Sequence, residues 1–115
     1  MTAAEATCDA APFFLDGQAG RLFALSFEPA GTQRGSVLYC PPFAEEMNKS
    51  RRQVALTARR LAAAGQRVLL VDLYGTGDSE GDFADATWAN WLADLRAGVN
   101  WLVARSDTPL TLWGL

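Results

Sequence analysis

At 115 residues, half of them apolar, the chain can bury one hydrophobic core and has no room for a second domain. A net charge of -3 excludes the broad basic surface of a nucleic-acid binder, and no apolar run approaches the roughly 18 to 20 residues of a membrane span. The absence of histidine removes the usual zinc ligand sets and every acid-base scheme that relies on an imidazole.

The opening residues carry Glu5 and lack the basic and apolar regions of a secretion signal, so a cytoplasmic protein is expected. Residues 1–11 read as a loose leader ahead of a single domain spanning 12–115. Cys8 and Cys40 are too few and too far apart for a disulfide framework, and read as isolated thiols in a reducing compartment.

Pro12–Gly17 and Arg21–Phe27 read as the strands of a hairpin joined through Gly17-Gln-Ala-Gly20. A turn-rich loop, Glu28–Gly35, leads to the strand Ser36–Cys40, which Pro41 and Pro42 end because proline has no N–H to give to a ladder. Asn48 or Ser50 then offers a cap for a helix to about Ala64, with Val54, Ala58 and Leu61 on one face and Gly65 as its stop. Lys49, Arg51, Arg52, Arg59 and Arg60 read as the solvated side of that helix rather than as an anion-binding patch.

The strand Gln66–Leu73 contains the apolar run Val68–Val71, which suits a parallel strand buried on both faces. It closes on Asp72-Leu-Tyr-Gly75-Thr-Gly77-Asp-Ser79-Glu-Gly81, where Gly75 and Gly77 supply a sharp exit that admits positive φ. Asp85 or Thr87 caps a second helix to about Arg105. In it Trp88, Trp91, Leu92, Leu95, Val99 and Leu102 keep helical spacing, and the tryptophans read as core rather than as a base-stacking platform. Thr108–Leu115 is another strand, and an unpaired edge over 109–114 makes self-association there an expectation. Strand, glycine turn and helix is the unit of a doubly wound α/β fold, whose ligands lie beyond the carboxyl ends of the strands. The functional edge is therefore expected near 72–81.

The order hairpin, strand, loop, helix, strand, Asp72-x-x-Gly75-x-Gly77-x-Ser79, helix, strand, Gly114 resembles the N-terminal half of an α/β-hydrolase. The fold this implies is α/β, a mostly parallel sheet with helices on both faces. Within that superfamily, Pro41-Pro-Phe-Ala-Glu-Glu-Met-Asn-Lys-Ser-Arg51 followed by the Asp72–Gly81 motif resembles the bacterial exosortase A system-associated hydrolases, type 2. The resemblance implies hydrolysis of an ester, thioester or amide bond in a small-molecule or acyl substrate, with no cofactor and no metal. It puts Phe43 and Ala44 in the oxyanion loop, where a backbone N–H faces the oxygen that gains charge. It gives Asp72, Gly75, Gly77 and Ser79 a turn-shaping role. It makes Gly114 the first glycine of a nucleophile elbow, with the nucleophile just after Leu115. Nucleophile, acid and base all follow that strand, and Ser79 has no base to activate it. Residues 1–115 by themselves are thus expected to be inactive.

Other readings stand beside this one. A truncated or degenerate hydrolase half would serve as a non-catalytic interaction module. Val68–Thr76 also resembles the first motif of haloacid dehalogenase-like enzymes, in which Asp72 would be a covalent nucleophile needing no histidine. A dinucleotide site is disfavoured, because Glu80 stands where a third glycine should be and would set a negative charge against a pyrophosphate.

Overall fold

The computed structural model describes residues 10–40 and 44–114. Cys8, Phe43 and Leu115, and the prolines of the loop after Cys40, lie outside the described residues. Two strands, β1 (Ala10–Asp16) and β2 (Arg21–Phe27), form an antiparallel hairpin whose register runs from Ala10 opposite Phe27 to Asp16 opposite Arg21. The hairpin therefore begins earlier than the expected leader boundary at residue 11. Ala10 and Ala11 are drawn into β1 because Phe27 and Ser26 offer them ladder positions. Pro12 is tolerated because β1 is an edge strand.

The rest of the chain is β3 (Gly35–Cys40), α1 (Ala44–Ala63), β4 (Gln66–Val71), a 3-10 turn (Phe83–Asp85), α2 (Trp88–Val103) and β5 (Leu110–Gly114). One sheet holds all five strands in the order β1-β2-β4-β3-β5. β2 meets β4 antiparallel, while β4 and β5 both run parallel to β3. The step from β3 to β4 goes one way across the sheet and the step from β4 to β5 goes back past β3. Right-handed crossovers then put the two helices on opposite faces. Accordingly Ala58 and Ala62 of α1 pack with Phe27, Val37 and Val68 on one face. Leu102 of α2 packs with Leu22, Ala24, Leu38, Leu69 and Val71 on the other. Val68, Leu69 and Val71 are at most 2 % exposed, as a central strand covered twice should be.

Two expectations need correction. The first helix starts at Ala44, ahead of the candidate caps Asn48 and Ser50, which become interior helix positions. Gly65, at φ +97°, follows its last turn and gives its N–H to the Ala62 carbonyl. The second helix uses Thr87 as its cap, the hydroxyl accepting the Asn90 N–H at 3.0 Å. Of the expected stripe, Trp91 and Leu102 are buried and Leu95 and Val99 pack against the core, but Asp94 and Gly98 join the buried arc while Trp88 and Leu92 are turned out of it. Gly98 decides this rotation: a side chain there would lie 2.9 Å from Leu38 Cδ1, so its bare backbone faces the sheet. Trp88 is left 67 % exposed, and Leu92 and Val103 also face outward.

At the far side of the sheet Trp113 of β5 meets Tyr39 of β3 with ring centroids 4.7 Å apart, while Leu112 is 63 % exposed. Leu112 stands opposite Leu38 in register, hence on the face that carries α2. Cys40 makes no disulfide among the described residues. No helix among them is long and apolar enough to cross a membrane.

Candidate functional site

The carboxyl ends of β3, β4 and β5 lie along one edge of the sheet, with Cys40 and Gly114 side by side in register. The chain leaving β3 turns towards one face and the chain leaving β4 towards the other. In open α/β sheets ligands bind where such connections diverge. The loop 72–81 is the chain that leaves β4 at this edge.

That loop is tied down by continuing the β2·β4 ladder with substitutes for a strand. Asp72 gives its N–H to the Phe23 carbonyl at 2.9 Å. Beyond it the Ser79 hydroxyl accepts the Phe23 N–H at 2.8 Å and donates to the Asp72 carbonyl. The Glu80 N–H donates to the Arg21 carbonyl at 2.9 Å, and the Glu80 carboxylate accepts the Arg21 N–H at 2.6 Å. Two side chains thus act as strand acceptors, and the Ser79 oxygen is engaged on both its donor and acceptor sides. Gly75 and Gly77 hold φ of +78° and +50°, and a side chain at Gly77 would overlap the Asp72 carboxylate.

Asp72 itself points into the loop. Its carboxylate accepts the Asp78 N–H at 3.0 Å and lies 3.5 Å from the Arg51 guanidinium, which also reaches Asp78 at 3.7 Å. Arg51 stays solvent-exposed on the basic side of α1, as expected, and from there braces the loop. Burial raises the Asp72 carboxyl above the usual range, against the Asp78 N–H and the Arg51 charge, which lower it, with the Asp78 charge raising it further.

Asp94 is the residue that sequence reasoning missed. It is fully buried on α2. One carboxylate oxygen accepts the Tyr74 N–H at 2.9 Å; the other faces the hairpin turn at Gly17 and Gln18. Burial raises this carboxyl, opposed by the N–H groups of Tyr74 and Gln18. The available signal was its spacing, three residues after Trp91 and four before Gly98.

Because both carboxyls are raised, the native protein holds these protons more tightly than the unfolded chain does. Acidification from above the raised values to the ordinary carboxylate range, about 4, therefore stabilises the fold through these groups, and the gain is lost as pH rises again. Asp94→Asn removes one share of this response. The melting temperature of the variant, taken relative to wild type, should fall steadily as the pH is lowered from neutrality. A difference that stays constant across the series would contradict a raised Asp94.

Of the other expected site residues, Gly114 ends β5 beside Cys40, and Ala44 is the first residue of α1. Phe43 and the position after Gly114 are outside the described residues. No protein-family model matches the chain, and no curated protein matches it. Solved structures do match. An α/β serine hydrolase without a lid from Xanthomonas campestris is 28 % identical, with a TM-score of 0.73 over 93 % of this chain and 50 % of that one. An α/β serine hydrolase homologue from Coxiella burnetii is 21 % identical, with a TM-score of 0.71 over 91 % of this chain and 51 % of its own. A soluble variant of monoglyceride lipase from Saccharomyces cerevisiae, solved with a substrate analogue, is 17 % identical, with a TM-score of 0.74 over 91 % of this chain and 35 % of its own. The chain spans about half the length of the first two. Its fold is that of the α/β-hydrolases, in part.

Proposed function

We propose that this chain is the N-terminal half of an acyl hydrolase of the α/β-hydrolase superfamily, of the exosortase-associated type, and supplies the oxyanion side of the active site. The observation that carries the reading is the junction at the carboxyl edge. There β5 ends at Gly114 beside Cys40, and α1 begins at Ala44 just past the loop that follows Cys40. The first N–H groups of a helix have no intrahelical partner, and the dipole makes that end attractive to negative charge. Backbone donors at Phe43 and Ala44 would therefore stand ready for an oxyanion. A nucleophile at position 116, one residue past Leu115, would attack a carbonyl held between itself and these donors. The tetrahedral oxygen would take up the charge, a stabilisation of about 3 to 4 kcal/mol for each such donor. Residues 1–115 contain no histidine, so in this reading the base comes from beyond them.

The dehalogenase reading is weaker, because the Asp72 carboxylate is taken up by the Asp78 N–H and Arg51, and because its strand is the fourth along the chain. In the hydrolase reading, Leu112 and the outward residues of α2 are where the remaining elements pack; a second copy on the β5 edge is the rival occupant. The test is to treat the protein extended past Leu115 with a fluorophosphonate and map the adduct. Labelling at position 116 and loss of acyl-ester hydrolysis on its replacement are expected, with residues 1–115 alone inert. A non-nucleophilic residue at 116 would make the chain an interaction module that keeps the fold without the chemistry. Genes of the exosortase system beside this one would support the narrower assignment.

A further inference from the structure

We propose that Asp94 and Trp91, one turn apart on α2, are positioning residues that clamp Tyr74 and thereby fix the pocket-side loop 74–81. The link to substrate binding rests on the hydrolase reading above; the clamp itself does not. Asp94 accepts the Tyr74 N–H at 2.9 Å, and the Trp91 indole N–H donates to the Tyr74 carbonyl, also at 2.9 Å. Both backbone groups of one loop residue are thus held by two side chains at i and i+3 of one helix, a spacing that sets them on one face.

The Tyr74 ring completes the hold. It lies against Gly20 of the hairpin turn and over Gly81, where a side chain would overlap it. The second Asp94 oxygen faces Gly17 of the same turn. Hairpin turn, loop and α2 therefore meet at one buried carboxylate and one ring. A buried charge is a costly choice for packing alone, since an apolar residue would fill the arc between Trp91 and Gly98 more cheaply. What a carboxylate adds is a strong acceptor for a backbone N–H that has no strand to pair with. Ser79 and Glu80 anchor the loop to β2 at its far end, so the clamp at Tyr74 determines how the intervening residues, Gly75 to Asp78, project at the edge.

Three variants separate this role from plain packing. Asp94→Leu keeps the branching at Cγ in a larger side chain and removes the acceptor, Asp94→Asn keeps an acceptor without the charge, and Trp91→Phe keeps an aromatic ring and loses the N–H. Amide hydrogen exchange on the extended protein reads the clamp, and hydrolysis of short-chain p-nitrophenyl esters reads its effect on substrate. For Asp94→Leu and Trp91→Phe, exchange over residues 74–79 should quicken about tenfold while residues 68–71 of β4 stay protected. KM should rise about tenfold with kcat within about threefold, and Asp94→Asn should restore both to near wild type. Wild-type exchange in the loop and an unchanged KM for Asp94→Leu would overturn the proposal. So would equal damage in Asp94→Asn with β4 exchanging as fast as the loop, the mark of a purely structural residue. If the wild-type protein hydrolyses no acyl ester, the hydrolase reading fails, and the exchange pattern alone decides the clamp.

Discussion

Gly81→Ala is expected to remove about 2 to 5 kcal/mol of stability, the sum of a left-handed backbone cost and an overpacking cost. Gly81 sits at φ +91°, where an L side chain is strained whatever space surrounds it. The space is also absent, because the added carbon would overlap the Tyr74 ring. The ring has little freedom to move aside, as Gly20 lies against it and both backbone groups of Tyr74 are held by α2. A domain of ordinary stability, about 5 to 15 kcal/mol, would lose a large share of its margin. Chemical denaturation would show a lower midpoint with an unchanged slope. Gly31→Ala is the control: it has a similar positive φ, +67°, but nothing within 4 Å, so it should cost only the backbone part. Equal losses for the two would refute the role of the ring.

Leu69→Ala should cost about 2 to 5 kcal/mol, in the range of other buried leucine truncations. Leu69 is fully buried on β4, which is flanked by β2 and β3, and it joins Leu38 and Leu102 in the core beneath α2. Gly98 brings the helix backbone close enough for Leu69 Cδ2 to lie 3.5 Å from where a side chain there would begin. A central strand and a closely seated helix leave little room for collapse into the cavity, which argues for the upper part of that range. The neighbouring Leu70, only partly buried against the opposite core, should lose less when cut to alanine. A Leu70→Ala variant as unstable as Leu69→Ala would contradict this assignment of faces.

The succession of elements along the chain was open to reading from sequence because its signals are local. Val68–Val71 is dense enough in apolar residues to require cover on both faces, the glycines of 72–81 mark a forced turn, and Thr87 precedes a helical pattern. The buried face of α2 was legible only in part: Trp91, Leu95, Val99 and Leu102 lie on it as expected, but Asp94 looks like a solvent residue until its partner, twenty positions earlier at Tyr74, is known. Leu92 and Trp88 mislead for the converse reason: the spacing that suits a core is equally met by an exposed flank of the helix. Ser79 and Glu80 carry the same lesson. Nothing in their local sequence reveals that they stand in for strand carbonyls, since their partners lie on β2, 56 and 59 residues away.

The position of β3 between β4 and β5 has a consequence for synthesis on the ribosome. Both of its neighbours come later in the chain, so Gly35–Cys40 emerges with two open edges and no sheet to join. The hairpin ahead of it does not serve, because β2 pairs with β4 instead. At about 5 to 20 residues per second, the remaining neighbour, β5, is completed roughly 4 to 15 s after β3. For that interval a short apolar segment with strand propensity, containing Val37, Leu38 and Tyr39, is exposed to other nascent chains. This is the stretch on which a holdase chaperone would be most useful, and where slowed translation between β3 and β5 would cost the most soluble product.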